Sequence, residues 1–442
     1  MIPDAVVIGG GCAGLAAATA LAEVGAAVQV LEARALAGGR SYSRIDPATG
    51  EVEDNGQHIL MRCYDEFLAF ARRTGGIAEI EFQERLEVVL LEPGGLATRF
   101  RPGSLPPPLD LLWGLLCVRG FPLRDLAAAS GLVAEVRAGG DLDATTVREW
   151  LLRHRQSERA QRVFWTPLVL ATLNLDPDHA SAGPFAEVLR RALLSGRSGA
   201  PIGFARRGLG SLVVDPAVDY LRGRGGSVVA RSPVTGLEID SAGRFVAARL
   251  RDGSRRAAGS AVVAVPHREA AEILPSGVTR FGPEEAASLG ASSIVGVHVW
   301  FDRAVADHAL AGLLGSPIHW IFDRSRVGGS RPPGYLALVT SAADDLVRMD
   351  RGEIGQRAVA EVRRFLPRAR DARVLKVRVL KERRATPRFD VGTERLRPGP
   401  KTACPNLVLA GDWTDTGLPA TLEGAAASGH RAAELLGAPG AG

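Results

Sequence analysis

Six residues near the start of the chain limit its fold more than anything else in the sequence. Ala5-Val6-Val7-Ile8 is a short apolar run, suited to a parallel strand covered on both faces. Gly9-Gly10-Gly11-Cys12-Ala13-Gly14 follows at once, and Leu15-Ala16-Ala17-Ala18 after it is a strong helix former. Gly-x-Gly-x-x-Gly set between strand and helix predicts a dinucleotide-binding unit, which the glycines alone would not. Gly9 permits a tight turn, Gly11 lets the backbone approach a pyrophosphate, and Gly14 allows close packing of helix on strand. The helix start at Cys12 and Ala13 offers the anion N–H groups that have no helical partner. A second strand, Ala27-Val28-Gln29-Val30-Leu31, runs into Glu32 and Ala33, where an acid accepts hydrogen bonds from an adenosine ribose. A glycine-rich turn in some other α/β protein would leave Glu32 unexplained.

Ala37-Gly38-Gly39-Arg40-Ser41 favours FAD over NAD. Gly38 and Gly39 turn the chain tightly, and Arg40 presents a fork of donors to the pyrophosphate. Near the other end, Asn406-Leu407-Val408-Leu409-Ala410-Gly411-Asp412 predicts a strand closing at Gly411-Asp412, with a helix from around Ala420. Asp412 is placed for a ribityl chain, and the backbone of Leu418-Pro419-Ala420-Thr421 for the N1 and O2 edge of a flavin. Reduced flavin is anionic there, so a helix N-terminus stabilises it. A Gly-Asp pair at a strand end is common; its meaning comes from the N-terminal motif.

Together the two ends resemble the FAD-containing amine oxidase and phytoene desaturase superfamily. Asp54-Asn55-Gly56-Gln57-His58 and the run Gly411 to Thr421 narrow the resemblance to its squalene-associated branch, the hydroxysqualene dehydroxylases. The similarity extends through most of the chain, including Pro106 to Leu123 and Asp215 to Leu221. Cys12 departs from the bulky residue common at its position, where the backbone carries the contact. The resemblance implies an α/β fold in which a Rossmann-like FAD-binding domain is interleaved with a mixed α+β substrate domain. It further implies FAD as cofactor and an apolar isoprenoid substrate, hydroxysqualene, reduced to squalene as its allylic hydroxyl leaves. No second Gly-x-Gly-x-x-Gly follows an apolar strand, so the electrons come from an external donor that the sequence does not identify.

The expected FAD-binding domain takes residues 1–90, 205–275 and 386–442. The substrate domain takes 91–204, mostly helical, and 276–385, strands mixed with helices. Strands are expected at 227–230, 234–239, 245–250 and 261–265, with Val234 meeting the adenine through its backbone.

Hydroxide is a poor leaving group, so the implied reaction needs an acid. The candidates within the motifs are His58, Asp54 and Asp415, and each has a second reading. His58 is also explained as a buried histidine bonded to backbone, Asp54 as the anchor of its own turn, and Asp415 as a cap for Gly417 or Leu418 N–H groups. A desaturase running in the oxidising direction would use the same flavin site. An amine oxidase fits less well, because no lysine precedes Lys376 and tyrosine is scarce. A non-catalytic prenyl-lipid escort on the same fold would have lost the flavin motifs, and both are intact.

The net charge of +5 is spread thinly, and the densest basic run, Lys376 to Arg388, alternates like a strand. That pattern argues against nucleic-acid binding. Four scattered cysteines without a CxxC pair argue against zinc and disulfides, and fit a reducing cytoplasm. No signal peptide and no apolar run of roughly 20 residues is expected. Pro106 to Val118, with Trp113 and the flanking Arg101, Arg119 and Arg124, keeps two readings open: a core helix, or a peripheral contact with a membrane.

Overall fold

The computed structural model describes residues 2–46, 50–106, 109–194, 201–327 and 332–438. Pro107 and Pro108 of the apolar stretch lie outside these residues, as do parts of the expected domain segments at 195–200 and 439–442.

Five parallel strands form the first sheet, in the order Ser227–Val229, Val28–Leu31, Ala5–Ile8, Ser260–Val263 and Leu407–Leu409. Ala5–Ile8 sits at its centre with every residue buried, which explains its unbroken apolar sequence. Three of the five strands come from beyond residue 200, so the nucleotide sheet is assembled from remote stretches of chain. The strands expected at 227–230 and 261–265 are two of them. Those expected at 234–239 and 245–250 pair antiparallel beside it, with Arg255–Ala257 as the third strand.

The helix Cys12–Glu23 is buried along nearly its whole length, between this sheet and the closing helix Leu422–Leu435. Alanine and glycine let the two helices approach closely. A Cβ on Gly14 would lie 2.0 Å from the Gly9 carbonyl oxygen, and one on Gly429 2.3 Å from that of Ala13. Such overlap costs roughly 1–3 kcal/mol or more in a packed core.

The second sheet has seven strands, in the order Val374–Thr386, Ser292–Phe301, Tyr335–Thr340, Trp320–Asp323, Leu310–Leu313, Val88–Leu91 and Ala97–Phe100. Its residues alternate between two cores. Val89, Leu91, Ile321, Leu336 and Leu338 pack beneath the helix Arg351–Phe365, while Leu90, Phe322 and Ala337 face the helices between Leu109 and Ala192. The expected border at residue 90 falls inside the strand Val88–Leu91, which pairs with Leu310–Leu313 in this sheet. Residues 91–204 are helical from Leu109 onward, but contain the strand Ala97–Phe100 and most of Ile202–Ala205. Among the described residues no helix is long and apolar enough to cross a membrane.

Candidate active site

At the carboxyl ends of the parallel strands, where an open α/β sheet binds its ligand, a cleft with a cavity of about 410 Å³ runs between the two sheets. Residues from both ends of the chain line it. Gly9, Gly11, Cys12, Ala13, Glu32, Ala33, Gly39 and Arg40 come from the opening motif. Gly411, Asp412, Trp413, Ala420 and Thr421 come from the closing one, and Val234 from the middle of the chain.

The two motifs touch directly. Arg40 donates through Nη2 to Asp412 Oδ1 at 2.7 Å and through Nη1 to the Ala385 carbonyl at 2.7 Å. Cys12 Sγ lies 3.8 Å from the Leu422 carbonyl oxygen. Burial beside Asp412 and Glu423 pushes the Cys12 thiol well above its ordinary value, which leaves it an unreactive packing group.

Several features suit an elongated anion with a sugar at one end. The helix Cys12–Glu23 starts at Gly11 with no side chain capping its N–H groups, and Gly11 has only Gly39 Cα, at 3.9 Å, near the place of a Cβ. An open backbone cradle of this kind accepts a phosphate. Glu32 is buried, accepting from Gly10 N at 2.9 Å and Arg34 N at 2.8 Å, so its carboxylate is fixed at the cleft with lone pairs to spare. Gly411 is required by Trp413: at φ 142°, a Cβ would meet the indole Nε1 at 2.3 Å. The indole itself donates to the Val265 carbonyl at 2.9 Å and packs on Phe281, so Trp413 both anchors the closing loop and lines the cleft.

Gly14, Leu418 and Pro419 stand behind the cleft wall. Gly14 sits in the helix–strand contact described above. Leu418 is buried with its carbonyl held at 3.0 Å by Arg397, and the Pro419 carbonyl accepts from Thr421 N at 2.8 Å. Thr421 caps the closing helix, its Oγ1 accepting from Gly424 N at 3.2 Å. Arg397, unremarkable in sequence, is fully buried and donates through one nitrogen to the carbonyls of Thr414, Leu418 and Asp412. It gathers the loop that the sequence presents as a bare string of turn residues.

The three acid candidates are separated. Asp415 is exposed outside the cleft, accepting from Gly417 N at 3.2 Å, and serves its own turn. Asp54 is buried and ion-paired with the equally buried Arg324 at 3.4 Å, and it accepts from Ser43 Oγ and Leu209 N. Its oxygens are thus engaged by one ion pair and two hydrogen bonds. His58 lines the cleft, but burial holds it below its ordinary value, so it is neutral at pH 7. Its Nδ1 lies 3.2 Å from the Gly56 carbonyl, which only accepts; the proton is therefore assigned to Nδ1, and Nε2 is left as an acceptor. Asp415 and Asp54 are thus engaged in their own turn and ion pair, and His58 offers the cleft an acceptor.

Sequence reasoning missed other groups. Glu382 and Ile294, paired across adjacent strands of the second sheet, both line the cleft opposite the nucleotide motifs. Asn55 joins the walls, its Nδ2 lying 3.4 Å from both the Arg40 carbonyl and Glu382 Oε2. In the first turn of the closing helix, Glu423 is buried; the loss of water pushes its carboxyl up to about 7, although Phe67 N and Glu66 N donate to it. None of the three lysines lines the cleft.

The sequence pattern of a family described as flavin containing amine oxidoreductase matches residues 12–436. The chain is 34% identical to the hydroxysqualene dehydroxylase of Rhodopseudomonas palustris, over 97% of each chain. It is 32% identical to that of Sinorhizobium fredii, again over 97% of each. With the 15-cis-phytoene desaturase of Glycine max identity is 25%, covering 98% of this chain and 79% of that one. Among solved structures, a putrescine oxidase superposes with a TM-score of 0.72 at 17% identity over 98% of each chain. The cyclohexylamine oxidase of Brevibacterium oxydans does so with 0.70 at 19% over 99% of each. The chain thus belongs to the flavin-containing amine oxidoreductase family, on its hydroxysqualene dehydroxylase branch, and is an FAD-dependent oxidoreductase.

Proposed function

We propose that this enzyme reduces hydroxysqualene to squalene. The observation that carries the reading is full-length similarity to hydroxysqualene dehydroxylases, stronger than that to the phytoene desaturases. Held in the cleft and reduced by an external donor, the flavin would supply the hydride that replaces the allylic hydroxyl. In this reading the N–H groups at Cys12 and Ala13, with Arg40, hold the pyrophosphate, Glu32 the adenosine ribose, and the backbone at Ala33 and Val234 the adenine side. Asp412 holds the ribityl chain, and the helix start at Ala420 and Thr421 faces the flavin edge, with Leu418 and Pro419 shaping that turn. His58 and Asn55 line the far part of the cleft, where His58 Nε2 accepts a hydrogen bond from the substrate hydroxyl and orients it. Apolar walls such as Ile294 exclude water from the reacting carbon.

The test is anaerobic mixing of photoreduced protein with hydroxysqualene, following flavin reoxidation and product mass. Squalene formation with reoxidation is expected. If reduced flavin persists while the oxidised protein dehydrogenates phytoene-type polyenes, the desaturase direction replaces this one.

The partner surface is proposed to be a membrane from which the isoprenoid enters. The helix Leu109–Leu116 supports this reading: Leu111 and Leu115 are buried in the core, while Trp113 is 53% exposed beside exposed Leu105, Leu109 and Leu116. Arg99 and Arg101, both largely exposed and sharing Glu87 as a loose partner at 4.0 and 3.9 Å, line a surface pocket with Leu105 and Trp113. Flotation with anionic liposomes is expected for the wild type and lost on Leu109→Asp with Leu116→Asp; equal flotation removes the surface from the account.

A further inference from the structure

The structure leaves the departing hydroxyl without the acid it needs among the motif residues, and we propose that Glu382 supplies it. This rests on the reduction reading above. Three other cleft carboxylates are committed elsewhere. Glu32 accepts from two backbone N–H groups, Asp412 from Arg40, and Glu269 pairs with Arg384 at 3.0 Å. Glu272 follows Glu269 on the helix His267–Ile273, whose side of the cleft also holds Val234 and Arg251.

Glu382 stands on the opposite wall, projected from the second sheet beside Ile294, its register partner, and facing the loop that carries Asn55 and His58. It is the carboxylate of that sheet lining the cleft among the described residues. The Asn55 amide donates to Oε2 at 3.4 Å, which ties the carboxyl to the cleft wall and makes Oε1 the atom through which a proton would pass to the substrate. An acid at this point projects into the cofactor cleft beside the apolar Ile294.

The step balances as follows. The allylic C–O bond breaks, the oxygen takes the Glu382 proton and leaves as water, and the carbon gains a hydride from the reduced flavin. The substrate is thereby reduced by two electrons and the flavin oxidised by two. Glu382 is reprotonated from solvent when product leaves.

The experiment compares wild type, Glu382→Gln and Glu382→Asp, each loaded with FAD and photoreduced. Each is mixed with hydroxysqualene and with the analogue carrying chloride in place of the hydroxyl. Chloride leaves without a proton. Glu382→Gln is expected to slow flavin reoxidation by hydroxysqualene by roughly 10²–10⁴-fold, and Glu382→Asp by less. Both variants should reduce the chloride analogue at the wild-type rate, with wild-type flavin content and absorbance spectrum. Infrared difference spectra on adding hydroxysqualene to the oxidised protein should show a carboxyl C=O band that Glu382→Gln lacks. Equal slowing on both substrates, or loss of flavin in Glu382→Gln, would make the residue structural and overturn the proposal. A wild-type rate on hydroxysqualene would do the same. Failure of the wild type itself to react with hydroxysqualene would instead sink the reduction reading on which it rests.

Discussion

Glu423→Gln should stabilise the enzyme, and only at higher pH. The residue, in the first turn of the closing helix, is 3% exposed, and burial raises its carboxyl from its ordinary 4.5 to about 7. Between those values the folded chain keeps a proton that the unfolded chain has released. Stability from this group is therefore complete below pH 4.5 and is lost as pH rises through 7. Each tenfold change in proton affinity is worth ~1.4 kcal/mol, so ionised Glu423 costs the folded state about 3 kcal/mol at pH 8.5. Glutamine keeps an oxygen that accepts from Phe67 N, bonded at 2.9 Å in the wild type, and carries no charge. It forfeits the weaker pairing with the partly exposed Arg191 at 3.5 Å, which offsets up to about 1 kcal/mol. Urea unfolding followed by tryptophan fluorescence, at about pH 5 and about pH 8.5, measures the difference. The variant should match the wild type at the lower pH and exceed it by about 2–3 kcal/mol at the higher. An identical difference at both pH values would refute the argument, because it would mean that the carboxyl titrates alike in the folded and unfolded chain.

Arg324→Met should destabilise the enzyme by about 3–5 kcal/mol, since it strands the buried Asp54 carboxylate without its counter-charge. Adding Asp54→Asn should recover much of that loss in the same urea assay; an additive double variant would contradict the pairing. Arg397→Met removes donors from three carbonyls of the closing loop and should lower stability by about 2–4 kcal/mol, with faster flavin loss on gel filtration. Unchanged flavin retention would show that the loop orders itself without it.

What the sequence made legible was local. Gly9 to Gly14 and Gly411-Asp412 could be read because a turn, a close approach and a helix start impose their demands within a few residues, and glycine is the residue that meets them. The groups that escaped notice act over long separations. Arg397 and Arg324 look like any surface arginine until the fold brings them to carbonyls and to Asp54, 270 positions away. Glu382 lies in a basic alternating run whose faces acquire meaning only when Ser292–Phe301 pairs beside it. Asp415 was misleading for the opposite reason. It lies three positions from Asp412, but the turn that reaches Gly417 at φ 70° leaves it in solvent. The border set at residue 90 falls within Val88–Leu91, a run apolar enough for either sheet, whose partner Leu310–Leu313 is more than 200 residues distant.

The central claim is that the opening turn and the closing helix start hold one flavin between them, and the flavin content of purified protein tests it most directly. Wild type should carry close to one FAD per chain, with Gly11→Val and Asp412→Ala each losing most of it while remaining folded by circular dichroism. A colourless wild type that binds no added FAD, or full flavin retention in Gly11→Val, would contradict the account.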